Sequence, residues 1–347
     1  MNWEGLLVSV LVCFLADPFL VISLRNMEMY DIPNKRSVHS SKVLTMGGII
    51  ILIGYSAGLL YLLFSQHIPM DSDSFRLFVG ILSGALCMAF LGALDDLLNL
   101  KPVTKFLVES LVALMVCQFG LLIERIDLFG FVLELGALSY PVTILWIVGI
   151  INAINFMDGL DGLAGGICLV IFLTLALSTK IDPIGSYFLP GIMGGVFVFL
   201  LRNSYPASIY MGDIGSLFLG YHVAVFSLLT FPFDHPITGS LGLLILLGVP
   251  LLDTALAILR RSFGKKNLFN ADRGHLHHQL LLKVNHRRAV AILYAVSSLL
   301  SILLVVSLRM NSTHSQGLLF GGGVVILGLL LAFAFKSSNP RPQDNLS

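Results

Sequence analysis

Acidic side chains sit at the ends of several long apolar runs of this chain. Asp95 and Asp96 close one run in LDDLLNL, and Asp213 opens another in YMGDIGSLFLG. An ionised Asp at a bilayer centre costs about 2.5–3.5 kcal/mol on insertion scales, so carboxylates kept at membrane helix ends are candidates for function. Carboxylate and amide oxygens are hard ligands that suit Mg²⁺ and its phosphate partners. The pattern predicts one polar pocket at one membrane surface that binds metal and phosphate.

The segment NAINFMDGLDGLAGG carries the most specific polar pattern. Asn152, Asn155, Asp158 and Asp161 recur at every third position. Residues three apart share one face while the segment is helical. The glycines that follow free the backbone to bend close to a ligand. We expect all four side chains to line the pocket.

The adjacent aspartates Asp95 and Asp96 allow two interpretations. They can cap the next helix, where Asp is favoured, or flank a metal–phosphate centre, where a cation offsets their repulsion. Lys105 follows Asp95 by ten residues and is expected to begin the next helix at the same face. Its ammonium can pair with a phosphate or simply extend to the membrane surface. Asp213 has its own alternative, as a first-turn residue favoured by the helix dipole.

A histidine-rich segment lies in the longest polar loop, NADRGHLHHQLLL. Arg273 precedes three closely spaced histidines, His275, His277 and His278. A zinc site is disfavoured because the H-E-x-x-H pattern is missing from the loop and no cysteine is nearby. Imidazole and guanidinium both donate hydrogen bonds to phosphate oxygens. The loop is therefore predicted to face a diphosphate.

The first polar loop, MYDIPNKRSVHSSK, adds further cations. We expect Arg36 and His39 to take part in the site. The lysines of this loop are expected to be surface charges beside the anionic leaflet.

Composition identifies an all-α polytopic membrane protein. Of 347 residues, 56% are hydrophobic and 12% are charged, whereas soluble domains carry about 25% charged residues. Since roughly 20 apolar residues cross a bilayer, we predict about eleven spans: 5–25, 46–66, 76–94, 106–123, 139–156, 163–179, 187–202, 214–231, 239–259, 290–308 and 317–335. IERIDLFGFVLELG predicts a short hairpin on the outer face. One domain is expected over 1–336, followed by a polar tail, 337–347.

Lysine and arginine predict the orientation. With the N-terminus outside, 17 of the 21 cations fall in inner loops or the tail. The exceptions are Arg76, Arg125, Lys180 and Arg309. The positive-inside rule then predicts N-terminus out and C-terminus in. Every polar motif named above is expected at the cytoplasmic ends of its helices.

The aspartate pair, NAINFMDGLDGLAGG, MGDIGS and HLHH, in this order, resemble the motifs of the polyprenyl-phosphate N-acetylhexosamine-1-phosphate transferases of glycosyltransferase family 4. The likeness covers about residues 30–282. It implies transfer of a sugar 1-phosphate from a UDP-sugar to undecaprenyl phosphate, with release of UMP. It also implies Mg²⁺ as cofactor, with Mn²⁺ as a substitute.

The resemblance also implies roles for individual residues. The Mg²⁺ ligands would be Asp213 and Asn155. The catalytic carboxylates would be Asp95, Asp96, Asp158 and Asp161. The substrate-binding residues would be Lys105, Asn152, Arg273, His275, His277, His278, Arg36 and His39.

The sugar is expected to be GlcNAc. The peptidoglycan members of the family carry a lysine where this chain has Asn99, and the HLHH form resembles the GlcNAc-type bacterial branch. GalNAc, QuiNAc and FucNAc fit the same motifs. The expected setting is the bacterial cytoplasmic membrane with a cytoplasmic active site, at the start of a surface polysaccharide such as O-antigen. The lipid bilayer is an expected partner and nucleic acid is not, and a homodimer is left open.

The rival class is an ion-coupled transporter or lipid flippase. Such carriers also have intramembrane carboxylates and broken helices, but they bind their cargo near the bilayer midplane. Here the motifs fall at helix ends, which favours the transferase.

Overall fold

Thirteen α-helices make up most of the part of the chain that the computed structural model describes, which is residues 2–31, 42–65, 71–128, 131–178, 183–231, 239–263, 274–310 and 313–335. In chain order they are α1 (Trp3–Asn26), α2 (Gly48–Ser65), α3 (Ser72–Leu98), α4 (Pro102–Gln118), α5 (Ser139–Met157), α6 (Leu163–Leu177), α7 (Pro183–Asn203), α8 (Asp213–Thr230), α9 (Ser240–Leu246), α10 (Gly248–Phe263), α11 (Leu276–Leu281), α12 (His286–Arg309) and α13 (Thr313–Phe335).

The helices confirm an all-α polytopic membrane fold, but with fewer full-length spans than predicted. Seven described helices are long and apolar enough to cross a membrane, or eight if α9 and α10 form one span. Those two are bent by 84° at their break, where the sequence predicted one span over 239–259. The predicted spans at α4, α6 and α13 are also helical, although α4 has only 17 residues and α6 only 15. The orientation of the termini stays a prediction.

The predicted hairpin is present. Strands β3 (Arg125–Leu128) and β4 (Phe131–Glu134) pair antiparallel, with Ile126 opposite Leu133. A short 3₁₀ turn, Gly136–Leu138, then leads into α5. The alternation of apolar and polar residues was therefore a correct strand signal, and the side of the membrane on which the hairpin lies stays a prediction.

A second, smaller strand pair was not predicted. Strands β1 (Tyr30–Asp31) and β2 (Val43–Leu44) pair antiparallel and hold together the two ends of the first polar loop. Leu44 also bridges to Ile209 in parallel, and the Tyr210 backbone amide donates to the Leu44 carbonyl at 2.7 Å. The loop ends are thereby fixed beside the segment that leads into α8.

Helix α8 is the centre of the bundle. In its span 89% of residues are buried inside the protein, against 17% for α1. It packs against α2, α3, α5 and α6. The approach to α5 requires a glycine, because a Cβ on Gly220 would lie 2.8 Å from the Cα of Ile151. Small residues permit such close contacts between membrane helices. The first residue of α8 is therefore surrounded by the ends of other helices.

Candidate active site

The ends of α3, α4 and α5 meet the start of α8 in a group that we call the carboxylate centre: Asp95, Asp96, Lys105, Asn155 and Asp213. Lys105 Nζ lies 3.0 Å from Asp95 Oδ2 and also pairs with Asp213 Oδ2. Asn155 Nδ2 donates to Asp213 Oδ1 at 3.1 Å and to the hydroxyl of Ser216 at 2.9 Å. Residues far apart in the sequence are thus brought together as predicted.

The two adjacent aspartates of this centre have different hydrogen-bond partners. Asp95 Oδ1 accepts from the backbone amide of Leu100 at 2.7 Å, while Oδ2 faces Lys105. Asp96 accepts from the backbone amides of Asp213 at 2.8 Å and Ile214 at 3.1 Å, one with each oxygen. The first amides of a helix have no partner within the helix. Asp96 therefore caps α8 across the bundle, not the following helix α4 as one interpretation of the pair had it.

Gly212 makes that cap possible. Its φ of +72° with ψ of 172° lies in a region that only glycine occupies without strain. A Cβ at this position would also lie 2.5 Å from Asp96 Oδ2. The glycine before Asp213 is thus required both by the backbone and by the approach of the carboxylate.

Asn152 lies one turn away from Asn155 and has a different partner. Its Nδ2 donates to Glu109 Oε2 at 2.6 Å and to the Val148 carbonyl at 2.9 Å. Glu109 is fully buried, and its Oε1 has no hydrogen-bond partner among the described residues. Sequence reasoning missed Glu109, although an acid four residues after Lys105 in an apolar helix was a usable signal. Asn152 is therefore tied to α4 and not to Asp213.

Asp158 lies in the turn between α5 and α6 and is half-buried. Burial raises the pKa of its carboxyl to about 7, and the charges of Asp213, Asp96 and Asp161 add to that shift. Such a group can hold or release a proton near neutral pH. The turn thus brings a titratable carboxyl within electrostatic reach of the carboxylate centre.

The rest of that turn is held to the segment before α8. Asp161 Oδ2 accepts from the backbone amide of Ala207 at 2.9 Å. Asn203, which is 2% exposed, accepts from the Gly162 amide at 2.9 Å and donates to the Ile209 carbonyl at 2.9 Å. Tyr294 also donates to the Gly162 carbonyl. Asp161 therefore connects the turn after α5 to the segment before α8. Asn203 makes the same connection, and the sequence pattern did not indicate it.

The histidine segment, residues 275–278, is anchored by Asp253 of α10. Asp253 Oδ2 lies 3.0 Å from His275 Nδ1 and 3.8 Å from His277 Nδ1, and Oδ1 accepts from the Leu276 amide at 2.5 Å. His275 is 6% exposed and His277 is 2% exposed, whereas His278 is partly exposed. Asp253 was missed, although it is a lone acid inside the apolar run GVPLLDTALAIL.

The histidine segment lies beside the turn that carries Asp158. A Cβ on Gly159 would lie 2.7 Å from His277 Nε2, so the ring and the turn are in close contact. The ring centroids of Phe156 and His275 are 5.7 Å apart. Burial lowers the pKa of His277 to about 3, which leaves this imidazole neutral at pH 7. A neutral imidazole still has one N–H that can donate to a phosphate oxygen, so His275, His277 and His278 all stay candidates for that contact.

Three predicted site residues, Arg36, His39 and Arg273, lie outside the described residues. The tail 337–347 does so as well. Their roles stay predictions.

The donor set of the carboxylate centre fits Mg²⁺. The described residues contain no group of three or more His, Cys, Asp or Glu side chains that could hold a metal ion. Mg²⁺ at phosphoryl-transfer sites is bound by one or two carboxylates together with substrate phosphates and water, so a full protein cage is not needed. Asp213 is 24% exposed at its side chain and can supply such a carboxylate, with the Asn155 amide beside it.

Comparison with known proteins gives consistent matches. Residues 78–231 match glycosyl transferase family 4. The chain is 36% identical over 309 residues to a probable undecaprenyl-phosphate N-acetylglucosaminyl 1-phosphate transferase of Bacillus subtilis (strain 168), covering 86% of this chain and 83% of that protein. It is 29% identical over 303 residues to an undecaprenyl-phosphate alpha-N-acetylglucosaminyl 1-phosphate transferase of Thermotoga maritima, covering 87% and 88%. A phospho-N-acetylmuramoyl-pentapeptide-transferase of Endomicrobium trichonymphae is 32% identical over 351 residues, covering 88% and 92%.

Proposed function

Because this chain belongs to glycosyl transferase family 4, the polyprenyl-phosphate N-acetylhexosamine-1-phosphate transferases, we propose that it transfers GlcNAc 1-phosphate from UDP-GlcNAc to undecaprenyl phosphate. The products are a diphospho-lipid-linked sugar and UMP, at the first step of a surface polysaccharide such as O-antigen. The observation that carries the proposal is the convergence of Asp95, Lys105, Asn155 and Asp213 from four different helices.

The main chemical task is to bring one phosphate to another. A phosphate monoester has a second pKa near 6, so the acceptor is already mostly ionised at neutral pH and needs little base catalysis. Catalysis of phosphoryl transfer is chiefly positioning and neutralisation of charge. Lys105 supplies a positive charge between Asp95 and Asp213, at the place where the helix ends converge.

In our proposal, Mg²⁺ held at this site would add to the neutralisation, with Mn²⁺ as a substitute. When bound, it supplies Lewis-acid stabilisation of the diphosphate oxygens. Asp213 and the Asn155 amide oxygen would hold it. Asp158, whose pKa is raised to about 7, is suited to take up the remaining acceptor proton.

The choice of GlcNAc is supported by the names of two relatives and by the histidine segment. Asn99 carries less weight than its sequence position suggested, because the structure gives it a backbone role. It ends α3 in a left-handed conformation, with φ of +50°, and its amide donates to the Asp95 carbonyl at 2.8 Å. Asn is one of the few residues that tolerate this conformation.

A donor panel tests both the reaction and the sugar. Purified protein is incubated with undecaprenyl phosphate, Mg²⁺ and UDP-GlcNAc, UDP-GalNAc, UDP-QuiNAc, UDP-glucose or UDP-MurNAc-pentapeptide, and UMP release is measured. We expect UDP-GlcNAc to react fastest. UDP-glucose should react poorly, because a site built to hydrogen-bond the N-acetyl group leaves its own groups unpaired when that group is missing. Turnover of another UDP-N-acetylhexosamine with UDP-GlcNAc inert would overturn the sugar, and no UMP from any donor would overturn the reaction.

The site is proposed to face the cytoplasm, where UDP-sugars are made. Single cysteines are introduced at Ser40, Asn270, Asp182 or Ser312 in a variant without the four native cysteines. Positions 40 and 270 should react with a membrane-impermeant thiol reagent only from the cytoplasm, and positions 182 and 312 only from outside. The reverse pattern would contradict the proposed orientation.

A further inference from the structure

We infer that Asp253 is a positioning residue, which sets the orientation and tautomer of His275 and holds the histidine segment against the Asp158 turn. The inference deepens the proposed function and rests on it, because the orientation of His275 matters for turnover only if this segment binds a substrate phosphate. No sequence motif used above includes Asp253.

Asp253 contacts two consecutive residues at the start of the histidine segment, His275 and Leu276. Its carboxylate is 2% exposed and uses both oxygens on the histidine segment, which lies 22 and 23 residues later in the chain. Oδ1 takes the Leu276 amide at 2.5 Å, and Oδ2 takes His275 Nδ1 at 3.0 Å. Because His275 precedes α11 and makes no side-chain cap of its own, the amide at the start of this helix depends on Asp253.

The same contacts decide which nitrogen of His275 carries its proton. A carboxylate only accepts, so Nδ1 must be the donor. Nε2 is then the nitrogen that faces away from Asp253: it accepts a hydrogen bond while the ring is neutral, and it donates one to a phosphate oxygen when the ring is protonated. A histidine whose other nitrogen is bound to a carboxylate is fixed in one tautomer and one ring orientation. Phe156 packs on the ring with a centroid distance of 5.7 Å and restricts it further.

His277 connects His275 to the Asp158 turn. Its ring stacks on that of His275 at 5.6 Å with an interplanar angle of 13°, and it touches the turn at Gly159. The order of contact is therefore Asp253, His275, His277 and then the turn that begins with Asp158. A change at Asp253 should displace the histidine segment from this turn without touching any side chain of the carboxylate centre.

The first test is kinetic, and it compares Asp253→Asn with His275→Gln and with the double variant. Removing a partner that orients a functional histidine typically costs about 10–100-fold. We expect Asp253→Asn to lower kcat/KM for UMP release by that amount, and the double variant to be no worse than His275→Gln alone. Additive losses would show that Asp253 does not act through His275, and would overturn the inference. Asp253→Glu should recover part of the activity, and Thr254→Val, one residue along α10, serves as a matched control.

The second test does not depend on turnover. Histidine side chains are labelled with ¹⁵N, and the ring signals of His275 are assigned by their loss in His275→Gln. Wild-type protein should show a protonated Nδ1, and Asp253→Asn should shift or broaden both ring signals, whereas Thr254→Val should not. Unchanged signals in Asp253→Asn would overturn the inference. If wild-type protein released no UMP from any donor, the proposed function would fail while this measurement still decided the role of Asp253.

Discussion

The carboxylate centre and the histidine segment are built in opposite ways. The centre takes its residues from the ends of long helices, and its members bind one another directly: Lys105 joins Asp95 to Asp213, and Asp96 caps α8. The histidine segment lies at the start of a six-residue helix and is anchored by the carboxylate of Asp253. The comparison indicates that substitutions in the carboxylate centre should lower activity by changing charge. Substitutions in the histidine segment should lower it by displacing side chains.

The largest expected effect belongs to Asp213. Asp213→Ala removes the partner of both Lys105 and Asn155, together with the proposed Mg²⁺ ligand. Loss of one group that stabilises transition-state charge costs about 100–1,000-fold, and we expect at least this loss of UMP release. Asp17→Asn, which breaks an ion pair with Arg202 elsewhere, should stay close to wild type. Normal turnover of Asp213→Ala at ordinary Mg²⁺ would exclude a central role for this carboxylate.

The second largest loss of activity is expected for substitutions of Lys105. In Lys105→Met the carboxylates of Asp95 and Asp213 lose the ammonium that lies between them, and we expect about a 100-fold fall in kcat. Lys105→Arg keeps the charge but not the compact ammonium. Its kcat should therefore lie between those of Lys105→Met and the wild-type protein. Steady-state UMP release with a matched thermal unfolding curve separates lost chemistry from lost folding. Equal activity of the Met and Arg variants would show that charge is not what Lys105 contributes.

Glu109 tests how much the hydrogen bond to Asn152 contributes to the stability of the fold. Glu109→Ala leaves the part-buried Asn152 amide with the Val148 carbonyl but without its carboxylate acceptor, which costs about 1–3 kcal/mol of stability. Glu109→Gln keeps an acceptor for that amide and should be nearly as stable as wild type. Denaturation midpoints in detergent measure the difference. If both variants lost the same stability, the charge of Glu109 would matter more than its hydrogen bond.

The smallest expected effect is the loss of folding stability at low pH that His277 causes. The pKa of His277 is lowered to about 3 by burial, whereas an unfolded histidine titrates near 6.5. Below pH 6.5 the unfolded chain therefore takes up a proton that the folded chain does not, and stability falls with pH. Between pH 6.5 and pH 5 we expect a loss of about 1–2 kcal/mol that is missing in His277→Gln. Parallel pH profiles of the two proteins would contradict a neutral, buried His277.

The sequence predicted the members of the carboxylate centre well, because polar side chains at the ends of apolar helices favour a shared polar pocket. It could not predict which partner each side chain takes. Asp96 reaches a backbone amide 117 residues away, and Asn152 reaches Glu109 in a different helix. Such pairs depend on how helices rotate and pack, which the apolar pattern of one helix does not specify.

The count of eleven spans is not confirmed, for a related reason. A rule of about 20 apolar residues measures length and not direction, so it could not show the bend between α9 and α10. GVP at 248–250 was a local signal for that break, since proline disfavours helix continuation before it. Strands of two residues such as β1 and β2 are also too short to show a period.

The sequence spacing of the Lys105 contacts has a consequence for biosynthesis. Asp95 lies 10 residues before this lysine, whereas Asp213 lies 108 residues after it. At about 5–20 residues per second, the ribosome needs roughly 5–20 s to make the intervening chain. During that time the nascent protein already holds a lysine and an acid of opposite charge at adjacent helix ends. Asp95 can therefore act as a temporary counterion for Lys105 in the translocon, before α8 is made and the final pairing is complete.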